Sequence, residues 1–154
     1  MSNLQVHFSS LTDRWNTPRS IYRQLDEEFH FDFDPCPANF CRETLFEQPQ
    51  AMETGRDGLL CEWGSVNYVN PPYSQIEQWI RKGWQEFRKG KTVVFLIPSR
   101  TDTTWWHEYV MKATEIRFIR GRLKFGDAKN SAPFPSAVVI FCREVCAGLL
   151  QEVS

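Results

Sequence analysis

The stretch Asn70-Pro71-Pro72-Tyr73 carries side chains that suit the binding of a flat ligand with an exocyclic amine. Asn70 offers a side-chain carbonyl and Pro71 a backbone carbonyl, so two hydrogen-bond acceptors stand close together in the chain. Proline fixes φ and has no N–H, so the prolines restrict the loop and little entropy is lost when a ligand binds. The ring of Tyr73 adds a flat surface for stacking.

This set of groups fits the amine of adenine, the amine of cytosine or a carboxamide. An aryl amine is a poor nucleophile because its lone pair is delocalised into the ring. Acceptors on its hydrogens favour a tetrahedral nitrogen and stabilise the positive charge that develops during attack. The stretch contains no strong general base, and this chemistry does not require one. The residues therefore predict alkylation of an amine or amide nitrogen.

Strands and helices are predicted to alternate around this corner. Apolar runs that end at proline, glycine or polar residues predict strands at 31–34, 65–69, 92–97, 115–119 and 137–141. Helix starts are predicted at Thr17-Pro18, at the capping box that begins with Ser74, and at Asp102. Residues 36–62 predict only loops around short elements. This order is typical of an α/β sheet with helices on both faces.

The corner follows the predicted strand 65–69 directly. In open α/β sheets, ligands bind just beyond the carboxyl ends of the strands. The position of the corner therefore supports its assignment as a binding site. The 154 residues are predicted to form a single domain, residues 1–154, with a core of its own.

Composition and charge narrow the class of protein. Hydrophobic residues make up 42% and charged residues 24%, which is an ordinary globular composition. No apolar run approaches the ~20 residues of a membrane span, and the N-terminus lacks the pattern of a signal peptide. Five cysteines at irregular spacing indicate reduced thiols in a cytoplasm. No metal site is expected, because there is no CxxC pair and there are only three histidines.

The net charge of −1 is unevenly distributed along the chain. Residues 1–80 carry a charge of −7 and residues 81–154 a charge of +6. Such asymmetry is compatible with a polyanionic partner for the basic half, and equally with charges that interleave on a solvated surface.

The chain resembles the phage and prophage DNA N6-adenine methyltransferase (Dam-like) family over about residues 13–142. No single short motif carries this resemblance, but an ordered series of motifs does. These stretches are Trp15-Asn16-Thr17-Pro18, residues 33–38, Asp57-Gly58-Leu59, Asn70-Pro71-Pro72-Tyr73, residues 96–103, 121–125 and 133–136.

The resemblance implies a compact class I, Rossmann-like methyltransferase fold, complete or truncated, that uses S-adenosylmethionine to methylate N6 of an adenine flipped out of double-stranded DNA. The implied catalytic residues are Asn70, Pro71, Pro72 and Tyr73. The implied cofactor-binding residues are Trp15, Thr17, Pro18, Asp34, Pro35, Cys36, Asp57 and Leu59. The implied DNA-binding residues are Arg100, Arg120, Arg122 and Lys124. A protein of this family would act in the cytoplasm of a bacterial host, alone, as an oligomer or with a specificity partner.

The chain departs from the usual methyltransferase pattern in one respect. The glycine-rich loop is missing, and Asp34-Pro35-Cys36-Pro37 takes its place. Two alternatives stay open at this point. The same corner would serve a protein glutamine amide or an RNA base amine. The missing loop would also suit a non-catalytic DNA-binding protein that has kept the fold.

Overall fold

A computed structural model of the chain describes residues 15–36, 50–51, 57–126 and 129–143. Its strands are β1 (Phe33–Asp34), β2 (Gln50–Ala51), β3 (Val66–Val69), β4 (Thr92–Pro98), β5 (Glu115–Phe118) and β6 (Ser136–Phe141). Its α-helices are α1 (Arg19–Phe29), α2 (Ile76–Arg88) and α3 (Thr104–Glu108). The strands and helices predicted from the sequence are confirmed to within a few residues at their ends. β2 lies in the stretch for which no regular pattern was readable.

The strands form one mixed sheet in the order β2-β1-β3-β4-β6-β5. β2, β1, β3 and β4 are parallel, so their carboxyl ends lie at one edge of the sheet. β6 is antiparallel and lies between β4 and β5. The predicted α/β architecture is thereby confirmed, and it is compatible with a Rossmann-like methyltransferase fold.

The side chains of β4 alternate between two hydrophobic cores, as the pleat of a strand requires. Val94 and Leu96 pack with α1 on one face of the sheet. Val93, Phe95 and Ile97 pack with α2 and α3 on the other face. Every residue of β4 after Thr92 is buried, which explains why its sequence reads as a continuous apolar run.

The predicted helix caps were wrong in each case. Pro18 is the N-cap residue of α1, so Thr17 lies outside the helix. α2 begins after a 3-10 turn at Tyr73–Gln75, because the carbonyl of Pro72 accepts a hydrogen bond from the Gln75 N–H and closes that turn first. α3 begins after Thr103 rather than Asp102.

A buried carboxylate organises the basic end of α2. Glu86 is fully buried and accepts hydrogen bonds from the side chains of Lys82, Lys89 and Lys91. Burial by itself raises the pKa of Glu86, but these ammonium groups lower it to about 2. These lysines therefore neutralise a buried charge and connect α2 to the start of β4.

Among the helices that the structure describes, there is no apolar helix of the length that a membrane span requires.

Candidate active site

Asn70 lies directly beyond the carboxyl end of β3, and its side chain is 1% exposed. Its amide nitrogen donates to the backbone carbonyl of Trp15 and, over 3.1 Å, to the hydroxyl of Thr17. A backbone carbonyl can only accept, so the nitrogen of the carboxamide must face Trp15. The carbonyl oxygen Oδ1 therefore lies on the side of the carboxamide that faces away from Trp15. Trp15 and Thr17, which precede α1, set this direction.

Thr17 connects Asn70 to the core of the sheet. Its side chain is fully buried, and Oγ1 lies 2.6 Å from the hydroxyl of Tyr68, which is also fully buried. Burial raises the pKa of Tyr68 well above its ordinary value, so its phenol stays neutral. Tyr68 and Asn70 lie on the same face of β3 and its continuation, since side chains two residues apart in a strand point the same way.

Aromatic rings enclose the Pro-Pro corner. Tyr73 is 6% exposed, and its ring lies nearly parallel to that of Trp15. Phe125 and Phe134 approach both rings edge-on. The hydroxyl of Tyr73 is buried and makes no hydrogen bond to any residue in the described part of the chain. Burial raises the pKa of Tyr73. The positive charge of Arg100 offsets only part of this rise, so this phenol also stays neutral.

Asp34 is a buried carboxylate at the carboxyl end of β1 and is 1% exposed. Its Oδ1 accepts a hydrogen bond of 2.8 Å from the backbone N–H of Cys36. Burial raises the pKa of Asp34 from 3.8 to about 7, although the Cys36 hydrogen bond opposes the shift. Burial, and then the charge of Asp34, raise the pKa of the Cys36 thiol to about 12. Cys36 is therefore a neutral packing residue and not a nucleophile.

The turn at 57–60 packs against the end of β1. A Cβ atom on Gly58 would lie 2.2 Å from the carbonyl oxygen of Pro35, so only glycine permits this approach. The indole N–H of Trp63 donates to the Gly58 carbonyl over 2.7 Å. The side chain of Asp57 accepts from the Leu59 N–H over 2.9 Å, which shapes the turn. Two stretches assigned to the cofactor from the resemblance thus lie side by side.

The predicted cofactor residues do not all occupy one place. Thr17 bonds to both Tyr68 and Asn70, and Asp34 lies near enough to Tyr68 for its charge to raise the pKa of that phenol. Asp57 and Leu59 also line an open groove of about 340 Å³ between the 57–60 turn and α2. The backbone carbonyl of Pro18 accepts the first hydrogen bonds of α1, so its visible role is to begin that helix.

The predicted DNA-contacting cations are exposed. Arg100 follows β4, and its positive charge lowers the pKa of Tyr73. Arg120, Arg122 and Lys124 lie in the segment that leads from β5 to Phe125. By contrast, Arg117 in β5 is bound on both sides by the carboxylates of Glu28 and Glu115. Its charge stabilises the packing of α1 on the sheet.

Sequence reasoning missed several residues of the site. Tyr68, Phe125 and Phe134 were not singled out, although Phe125 and Phe134 fall within the motif stretches of the resemblance. For Tyr68, the available signal was its spacing of two from Asn70 in a strand. Within the described residues, no group of three histidine, cysteine or acidic side chains could hold a metal ion.

Comparison with known proteins assigns this chain to a family. Residues 5–147 match the sequence profile described as DNA N-6-adenine-methyltransferase (Dam). The chain belongs to the Dam family. The resemblance drawn from the ordered motifs is thereby confirmed.

Curated relatives of this Dam-family chain come from bacteriophages. The DNA N-6-adenine-methyltransferase of Escherichia phage T1 is 26% identical over 117 residues, which are 74% of this chain and 48% of the relative. The DNA N-6-adenine-methyltransferase of Haemophilus phage HP1 (strain HP1c1) is 26% identical over 150 residues, which are 91% of this chain and 84% of the relative. The chain thus spans about half the length of the phage T1 protein.

Proposed function

We propose that this protein transfers a methyl group from S-adenosylmethionine to N6 of an adenine in double-stranded DNA. The observation that carries this proposal is the geometry of Asn70. Its carboxamide is held in one orientation at the carboxyl end of β3, beside Tyr73, in a chain of the Dam family.

The residues near β1 fit a cationic cofactor. Asp34 is a buried carboxylate that accepts a hydrogen bond from the backbone N–H of Cys36, and its burial raises its pKa to about 7. The ammonium or sulfonium charge of S-adenosylmethionine would offset this desolvation. Asp34, Pro35 and Cys36 would hold the cofactor together with the 57–59 turn. When bound, the cofactor supplies an electrophilic methyl group.

The protein's own groups would prepare the amine for attack. Oδ1 of Asn70 and the carbonyl of Pro71 would accept the two N6 hydrogens and favour a tetrahedral nitrogen. The same two dipoles would stabilise the positive charge that develops on N6 until a proton is lost. Tyr73 would stack on the base, which must leave the duplex to reach this corner.

Exposed cations near the corner favour a nucleic acid over a protein substrate. Arg100, Arg120, Arg122 and Lys124 are exposed and would contact phosphates of the DNA backbone. These four cations form the proposed DNA-binding rim. They would add little to the binding of a protein glutamine amide, which carries no phosphate.

Transfer of labelled methyl groups tests the proposal directly. Purified protein is incubated with S-adenosylmethionine and, in separate reactions, duplex DNA, RNA and ribosomal protein. We expect label in DNA and N6-methyladenine in its nucleoside digest. Asn70→Ala should lower turnover by at least about 100-fold while cofactor affinity persists. Label in RNA or protein alone would reject the proposal. An absence of cofactor binding at millimolar concentration would favour the non-catalytic alternative.

A further inference from the structure

We propose that Thr17 is a positioning residue that holds the Asn70 carboxamide with Oδ1 turned towards the substrate amine. This inference rests on the proposed function for its meaning, but it concerns an arrangement that can be measured without any substrate.

The first argument is the chemistry of the contact. The amide nitrogen of Asn70 has two hydrogens, and its acceptors are the Trp15 carbonyl and Thr17 Oγ1. If the carboxamide rotated by half a turn, Oδ1 would face the Trp15 carbonyl, and the two oxygens would repel each other. The hydroxyl of Thr17 can still share a hydrogen bond with Tyr68 while it accepts from Asn70. The observed orientation is therefore the one that gives both amide hydrogens of Asn70 an acceptor.

The second argument is burial. Thr17, Tyr68 and Asn70 are all within 1% of complete burial, so water cannot take over from a lost hydrogen bond. Loss of one acceptor in such a place costs more than at a surface. The barrier that keeps the amide in its productive orientation therefore depends on these protein groups, and the Thr17 hydroxyl is a side-chain acceptor for the Asn70 amide.

This assignment differs from the one implied by the resemblance, which gave Thr17 to the cofactor. A cofactor contact and a positioning role predict opposite kinetics. Loss of a cofactor contact raises the dissociation constant of S-adenosylmethionine. Loss of a positioning contact lowers kcat at saturating cofactor and DNA and leaves both affinities unchanged.

The contact also explains why residue 70 carries an amide. Asn70→Asp keeps an oxygen for the substrate but has no hydrogen to donate to Trp15 or Thr17. We expect this variant to lose at least about 100-fold in kcat, and retention of most activity would overturn the proposal.

The decisive experiment compares Thr17→Val, which keeps the shape, with Thr17→Ser, which keeps the hydroxyl. Valine should lower kcat by about 10- to 100-fold with dissociation constants for cofactor and DNA within about threefold of the original. Serine should restore kcat to within about threefold. The matched control is Tyr68→Phe, which removes the Tyr68 hydroxyl and leaves the Thr17–Asn70 bond; its loss in kcat should be smaller than that of valine.

A second measurement is independent of activity. The side-chain amide protons of Asn70 are observed by NMR and assigned by their absence in Asn70→Ala. In the original protein, both protons should exchange slowly with solvent. Thr17→Val should shift one of them and speed its exchange. Failure to methylate DNA would reject the proposed function, and the amide signals would still decide whether Thr17 orients Asn70.

Two further results would overturn the inference. One is an unchanged Asn70 amide in the valine variant. The other is a higher dissociation constant for S-adenosylmethionine with an unchanged kcat at saturation, which would return Thr17 to the cofactor site.

Discussion

The rings of Trp15 and Tyr73 are nearly parallel, with centroids 6.4 Å apart and planes inclined by 16°. Aromatic carbons in contact lie about 3.5 Å apart, so a base between two rings needs about 7 Å or more. The distance between these two rings is smaller. A base that enters between these two rings must therefore displace Trp15 or push the rings apart.

Trp15→Ala should ease the insertion of the target base, because the ring that competes for Tyr73 is removed. With 2-aminopurine at the methylated position, we expect a larger fluorescence rise on binding than with the original protein. Trp15→Phe is the matched comparison and should give an intermediate signal. A smaller rise in Trp15→Ala would mean that the indole supports the inserted base instead of competing with it.

Tyr73→Phe should keep kcat/KM within about threefold, because the hydroxyl that it removes is buried and makes no hydrogen bond to the described residues. Tyr73→Ala should lower kcat/KM by about 10- to 100-fold, since stacking of a base on an aromatic side chain contributes about 1–3 kcal/mol. Thermal unfolding of both variants separates this effect from lost packing. Equal losses in the two variants would show that the hydroxyl, and not the ring, is what matters.

Asp34 should make stability depend on pH. Its pKa is 3.8 ordinarily and about 7 in the fold, so the folded state holds the proton more tightly than the unfolded state. Protonation of Asp34 therefore contributes to the free energy of unfolding, by about 4 kcal/mol at most. This contribution is fully present below about pH 3.8 and is lost as the pH rises through 7.

The matching variant is Asp34→Asn, which cannot ionise. Its Tm should exceed that of the original protein at pH 8, and the difference should shrink towards pH 5. Its affinity for S-adenosylmethionine should fall, because the carboxylate is the group proposed to offset the cofactor's charge. The exposed Asp102→Asn is the control and should show no such trend. A Tm difference that is the same at both pH values would contradict the assignment of a buried, partly protonated Asp34.

The exposed cations should govern the salt dependence of DNA binding. Alanine at Arg120, Arg122 or Lys124 should each reduce the slope of log K against log salt by about 0.9, if each contacts one phosphate. Arg88→Ala, at the far end of α2, removes the same charge and should leave the slope unchanged. Equal effects at Arg88 would indicate a general attraction and not a defined DNA-binding rim.

The local sequence was sufficient to predict much of this protein. Proline and glycine at the ends of short apolar runs predicted β3, β4 and β6, and the order of the elements predicted an α/β sheet. The Asn70–Tyr73 stretch and the motifs around it indicated the family. These features are readable because strand periodicity and proline geometry are local properties of the chain.

Tertiary structure decided what surrounds those motifs. Thr17 looks like a helix cap in the sequence, yet its hydroxyl bonds to Tyr68 and Asn70, more than fifty residues away. Trp15 covers Tyr73, and three lysines that resemble a free basic face converge on Glu86. No sequence pattern records these contacts, because burial sets the energy of a polar group or a ring, and burial exists only once distant segments have packed together.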